Sequence, residues 1–233
     1  ILMSGMVVSK KGLFEAKYVS IPSTIKTIAS KITSKKISGI DINIIPGLFF
    51  KRNNMYDVLR GEETIVIGAI QKSKIKKQCY LCCPGTHSKW IMIKNDKIKN
   101  FSTYMSGELY SVISQQTILS QSLFTNNKTI SRKFLRKGFE MIIKGKNINN
   151  ILFMIRTMDI FNQNKTYERK SFLSGLLIGM EIFEISKQKD ITKSKIILIS
   201  GGTLTKIYSE CLSYFKLKFE LLNSDECFIQ GIK

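Results

Sequence analysis

Two apolar runs flanking a Pro-Gly turn constrain the fold of this chain more than any other feature. Cys79-Tyr80-Leu81-Cys82-Cys83 reads as a buried strand, stops at Pro84-Gly85, and is answered by a second strand, Trp90-Ile91-Met92-Ile93-Lys94. The turn between them holds Gly85, Thr86, Ser88 and Lys89. Backbone amides, small hydroxyls and one cation at a tight turn form a set suited to phosphate oxygens. The only histidine, His87, and the only tryptophan, Trp90, lie in the same segment. The plainer alternative is a hairpin with a polar tip, since Gly and Ser are common in any turn.

Around this hairpin the pattern alternates strands and helices, which argues for an α/β fold. A strand is expected over 1–8, running into a Lys10-Lys11-Gly12 turn, then a helix over 24–36 and a strand over 39–45. Lys51-Arg52-Asn53-Asn54 reads as a break on the approach to a domain cleft. Residues 61–70 have helical spacing, and Asp96-Lys97 is turn-like. With the hairpin, 97–103 makes three strands, followed by helices over 107–120, 129–144, 149–162 and 170–187. The segment 120–129 is expected to be a loop. The end returns to strand 195–200, helix 203–215, strand 217–221 and helix 224–232.

The apolar fraction of 43% is enough for a core in 233 residues. The longest apolar stretch, 173–185, is interrupted by Ser174, Glu181 and Glu184, so it reads as a buried helix and not a membrane span. No membrane partner is expected. Five cysteines, three of them within Cys79 to Cys83, make no disulfide framework and no zinc pattern. They are read as reduced core residues of a cytoplasmic protein. The net charge of +20 raises nucleic acid as a partner, but 31 lysines against 6 arginines are scattered and gather in no stripe. No specific nucleic-acid partner is therefore expected.

Several blocks, taken in order, resemble one family. They are Ser4-Gly5-Met6, Ile45-Pro46-Gly47-Leu48, Asp57-Val58-Leu59-Arg60-Gly61-Glu62-Glu63-Thr64, the turn from Pro84 to Trp90, and Leu173-Ser174-Gly175-Leu176-Leu177-Ile178-Gly179. Together they are similar to the 2-dehydro-3-deoxygalactonate (2-keto-3-deoxygalactonate) kinases. That resemblance implies an α/β actin/hexokinase-type (ribonuclease H-like) sugar kinase fold. It also implies a cytoplasmic, ATP- and Mg2+-dependent transfer of phosphate to the 6-position of 2-dehydro-3-deoxy-D-galactonate. The partners are then a sugar acid and ATP, with a homodimer left open.

A sugar kinase needs a carboxylate base and a way to neutralise charge on the transferred phosphoryl group. By the family's order the base is Glu62 or Asp57, which the sequence does not separate; Glu62 and Glu63 are equally well read as helix-start acids. Arg60 would grip the substrate carboxylate, or pair with Asp57 as a structural bridge. The resemblance assigns ATP phosphates to Gly85, Thr86, His87, Ser88 and Lys89, and adenosine to Gly201-Gly202, where a strand meets a helix. Trp90 is read as packed, Ser174-Gly175 and Gly179 as close-packing residues, and no residue as a metal ligand.

One departure is expected to matter. These kinases begin with an Asp-Gly-Thr phosphate segment that this sequence lacks. The first lobe is therefore read as incomplete, with 1–56 a remnant of the N-terminal substrate and phosphate lobe and 57–233 the C-terminal ATPase-type lobe. An inactive remnant of such a kinase and a basic nucleic-acid-binding protein stand as the alternatives.

Overall fold

Alternation of side chains along two adjacent strands decides how this chain is layered. A computed structural model describes residues 1–10, 12–73, 75 and 78–233. In chain order the elements are β1 (Leu2–Met3), β2 (Tyr18–Ser20), β3 (Ser23–Thr24), α1 (Ile25–Ala29), β4 (Thr33–Ile37), β5 (Ile40–Ile44), β6 (Gly47–Arg52), β7 (Met55–Leu59) and α2 (Glu62–Ser73). There follow β8 (Cys79–Cys83), β9 (Ser88–Lys94), β10 (Lys97–Tyr104), α3 (Ser106–Gln116), α4 (Ser120–Leu123), α5 (Arg132–Ile143), α6 (Ile148–Ile160) and α7 (Thr166–Ser186). The chain closes with β11 (Lys195–Ser200), α8 (Gly202–Tyr214), β12 (Phe219–Asn223) and α9 (Ser224–Ile232).

The main sheet has the order β12-β11-β8-β9-β10-β3. β8, β11 and β12 run parallel, while β9, β10 and β3 continue antiparallel from β8. Cys79, Leu81 and Cys83 point to one face, against Val66, Ile67 and Ala69 of α2 and Cys227 of α9. Tyr80 and Cys82 point to the other, against Phe139 of α5, Ile178 and Ile182 of α7 and Tyr208 of α8. A period of two in an unbroken apolar strand thus fills two separate cores. A third apolar cluster joins α4, α5, α6 and α7. Two smaller sheets, β1-β5-β4 and β2-β6-β7, take the other six strands, all within the first sixty residues.

Helix contacts depend on missing side chains. A Cβ on Gly68 of α2 would lie 1.8 Å from the Cys227 carbonyl oxygen, and one on Gly231 of α9 would lie 1.9 Å from that of Thr64. Gly175 of α7 likewise admits Leu135 of α5, which bears out its reading as a packing residue.

Several boundary expectations are corrected. Only Leu2–Met3 is extended at the start, because Gly5 takes a left-handed φ of +79° and a 3-10 turn follows. Lys11, in the expected turn, lies outside the described residues. The helix expected over 24–36 stops at Ala29; Thr33–Ile37, exposed throughout, is a strand and joins β5 through the left-handed pair Ser38-Gly39. Asn53 and Asn54, both left-handed, are the two-residue turn of the β6–β7 hairpin and not an approach to a cleft. The β9–β10 turn is Asn95-Asp96, one residue earlier than expected. Ser120–Leu123, placed in a loop, is helical. Among the described residues no helix is long and apolar enough to cross a membrane, and all five cysteines are buried and free.

Candidate functional site

The turn between β8 and β9 is anchored from below and open above. Thr86 and His87 are exposed, while β8 before them and Ser88 to Trp90 after them are buried. The start of α3 packs directly beneath: the Glu108 amide donates to the Thr86 carbonyl at 2.9 Å, and a Cβ on Gly107 would sit 2.3 Å from the Gly85 oxygen. Among the described residues the amides of Gly85, Thr86 and His87 donate to no protein acceptor. Unpaired successive amides at a rigid turn are free to receive an anion. The His87 Nε2 lies 2.5 Å from Glu108 Oε2, so the histidine is held by a carboxylate.

This turn is the wall shared by two cavities. One, of about 680 Å3, is bounded by Gly85, Thr86 and His87 on one side and by Arg60, Gly61 and Glu62 on the other. The second, of about 300 Å3, runs from Gly85, Thr86 and Ser106 to Thr203, Leu204 and Tyr208. It shares Tyr110, Ser174, Thr203 and Ile207 with a neighbouring cavity of about 500 Å3 walled by 125–130. Gly201 and Gly202 lie at the start of α8; Gly202 takes φ +59°, and no atom crowds its Cβ position.

In the first cavity the helix start is built by reaching back. Gly61 takes φ +107°, and its Cβ position lies 3.2 Å from the Gly5 Cα. Glu62 Oε2 accepts from the Arg60 amide at 3.1 Å, and Glu63 Oε2 from the Gly61 amide at 2.6 Å. Glu63 is fully buried, with Ser4 donating to its other oxygen at 2.8 Å. Burial pushes its carboxyl up to about 7, against the downward pull of these hydrogen bonds. Glu62, half-buried, faces the cavity.

The expected site residues divide. Glu62, Arg60, Gly85, Thr86, His87 and Lys89 line the first cavity. Asp57 does not: its carboxylate accepts from the Thr103 amide at 2.8 Å and the Thr103 hydroxyl at 2.6 Å, tying β7 to β10. Arg60 makes no bridge to Asp57. Its guanidinium donates to the carbonyls of Val8 (2.5 Å) and Ala16 (2.8 Å) and to the Tyr18 hydroxyl, and stacks on the Tyr18 ring. The Ser88 hydroxyl, expected to face phosphate, points inward instead and donates to Glu181 Oε1 at 2.7 Å. Lys89 is also held: Nζ donates to the Val58 carbonyl and to Thr103 Oγ1. Both follow from alternation and burial at the first residues of β9.

Ser9, Lys10, Glu15 and Tyr18 also line this cavity, and the sequence reading missed them. The Ser9 hydroxyl is buried without a hydrogen-bond partner among the described residues. Nothing in the local pattern marks these residues, because Arg60, more than forty positions away, folds them into place. Glu181 was visible only as a charge inside an apolar helix. Burial pushes its carboxyl up, opposed by hydrogen bonds from Ser106, Ser88, Trp90 and Tyr208.

The family model for 2-keto-3-deoxy-galactonokinase matches residues 1–233. A Rhizobium meliloti (strain 1021) protein, named as a probable 2-dehydro-3-deoxygalactonokinase, is 30% identical over 237 residues, covering all of this chain and 76% of its own. The 2-dehydro-3-deoxygalactonokinase of Escherichia coli (strain K12) is 30% identical over 235 residues, covering all of this chain and 77% of its own. A crystal structure from Sinorhizobium meliloti, provisionally assigned to the same activity, superposes with a TM-score of 0.87 at 29% identity, over all of this chain and 75% of that one.

Proposed function

The chain belongs to the 2-keto-3-deoxy-galactonokinase family, and on that footing we propose that it transfers the γ-phosphoryl group of ATP to the 6-hydroxyl of 2-dehydro-3-deoxy-D-galactonate. One observation carries this reading: a single turn with unpaired amides separates a cavity holding a carboxylate from a cavity at the start of α8. A nucleotide in the second cavity, with its phosphates against Gly85, Thr86 and His87, presents its terminal phosphoryl group to a hydroxyl in the first. An antiparallel meander continued by two parallel strands supports the actin/hexokinase-type assignment of the main sheet.

Glu62 is the base. It stands in the cavity at the start of α2. It takes the proton of the 6-hydroxyl as that oxygen bonds to the γ-phosphorus and the bond to the β-γ bridging oxygen breaks, releasing ADP. Asp57, engaged with Thr103, is structural. Arg60 shapes the substrate wall by holding Val8, Ala16 and Tyr18. Lys10 and the unpartnered Ser9 hydroxyl meet the substrate carboxylate, the ammonium as a point charge and the hydroxyl as a donor. Five free buried thiols suit a reducing compartment, which we take to be the cytoplasm.

Among the described residues no three His, Cys, Asp or Glu side chains cluster to hold a metal ion. The donor set fits a metal that arrives on nucleotide phosphates, with Glu108, beside the turn, as its carboxylate. When bound it would neutralise charge on the phosphates.

A coupled ADP-release assay tests the assignment, with calorimetry of ATP binding alongside. Glu62→Gln should lose turnover by about a thousandfold or more and keep ATP affinity, while Asp57→Asn keeps turnover. Full activity in Glu62→Gln would remove Glu62 as the base.

A further inference from the structure

Glu181 has one side-chain donor for each place its carboxylate can accept. Oε1 accepts from Ser88 Oγ at 2.7 Å and from Trp90 Nε1 at 2.8 Å. Oε2 accepts from Ser106 Oγ at 2.6 Å and from Tyr208 OH at 3.0 Å. The residue is 2% exposed, and among the described residues no lysine or arginine pairs with it. A lone charge so deep is costly unless every acceptor site is filled. A more ordinary core residue would serve packing at this position without that cost.

The four donors come from three elements, and two of them, Ser106 and Tyr208, line the nucleotide cavity. Ser88 and Trp90 open β9, immediately after the amide-presenting turn. Ser106 opens α3, whose next residues pack against Gly85 and donate to Thr86. Tyr208 sits in the second turn of α8, the helix that supplies Thr203 and Leu204 to the far wall. Glu181 itself projects from α7, so a rigid helix fixes the common point.

We infer that Glu181 is a positioning residue for the nucleotide: its carboxylate sets the distance between the amide turn and α8, and so the width of the cavity between them. This rests on the assignment of ATP to that cavity. Because an ionised carboxylate only accepts, it orients all three hydroxyls toward itself; a neutral amide must turn at least one of them round. The first cavity, on the far side of the turn, takes no wall from Tyr208 or Ser106. The sugar-acid cavity shares only Gly85 and Thr86 of the turn with the nucleotide cavity, so it should feel the change much less.

Trp90, the sole tryptophan, touches the carboxylate and reports on it directly. The test uses the whole chain and titrates ATP and 2-dehydro-3-deoxygalactonate separately by calorimetry, with Trp90 emission recorded throughout. In Glu181→Gln the emission shifts and ATP affinity falls by about tenfold, the worth of one charge-assisted hydrogen bond, while sugar-acid affinity stays within about twofold. Tyr208→Phe, which removes one donor at the α8 end and keeps the ring, repeats the pattern more weakly and covers the case in which Glu181→Gln does not fold. Unchanged ATP affinity in Tyr208→Phe and in any folded Glu181→Gln overturns the inference. Equal loss of both ligands also overturns it, since it would mark a general structural role. A parent chain that binds no ATP overturns the assignment of the cavity, and the inference with it.

Discussion

Asp57 and Glu62 show how little a residue's type says about its work. Both are acids beside Arg60 in one motif, yet one carboxylate is engaged with the Thr103 amide and hydroxyl and the other opens on a cavity. The same division separates the cations. Lys89 spends its ammonium on Val58 and Thr103, and Arg60 donates to Val8 and Ala16, whereas exposed Lys10, lining the same cavity, pairs with no side chain or carbonyl among the described residues. Lys10→Met should therefore weaken sugar-acid binding by about tenfold or more, with ATP affinity unchanged and Lys10→Arg recovering most of the loss. Calorimetry with the sugar acid and with a neutral analogue lacking the carboxylate checks this. Equal weakening for both compounds would count against a carboxylate contact.

Helix α2 joins chemistry to packing. Its first turn holds Glu62 at the cavity and Glu63 in the core, so its placement must be exact to within a side chain's reach. Glu63 binds its proton more tightly in the folded chain, at about 7 against an ordinary 4.5. Between those values the folded state holds more protons than the unfolded, and this group's contribution to stability falls as pH rises through that window. Glu63→Gln mimics the protonated form, so its stability relative to the parent should rise between pH 5 and pH 8, by at most about 3 kcal/mol. Urea denaturation at the two pH values measures it; parallel behaviour of the two proteins would show that Glu63 does not titrate there. At the other end of the contact, Gly68→Ala would drive a methyl into the Cys227 carbonyl, and a loss of roughly 2–3 kcal/mol is expected from chemical denaturation.

Across the whole molecule the sheet divides two cores, and the thiols belong to both. Cys79 and Cys83 lie on the α2 side and Cys82 on the α8 side, with Cys211 and Cys227 in the covering helices. Burial pushes the Cys79 thiol up to about 12 and raises the others, so the nucleophilic thiolate is scarce and screened. The native chain should resist a thiol-exchange reagent at neutral pH, and all five cysteines should react once it is unfolded. Rapid modification of any one in the native state would mark local opening of its core.

The periodicity and turn chemistry of the sequence were sufficient for the long strands of the main sheet and the long helices. Cys79 to Lys94 reads as a buried hairpin because apolar continuity and a Pro-Gly stop are local facts, and the later helices are long enough for their period to dominate. The motif blocks carried the family, and with it Glu62 among the candidate bases and the turn from Gly85 to His87. Short elements were less legible: 24–36 divides into a helix and a strand because β-sheet pairing with β5 outweighs weak local preference. Which acid faces the cavity, where Ser88 and Lys89 point, and what Arg60 holds were not in the local pattern at all. Those outcomes depend on partners forty or more residues away in several cases, Val8 and Ala16 for Arg60 and Glu181 for Ser88. A side chain's direction is set by what fills the space around it, and that space exists only after distant segments have packed.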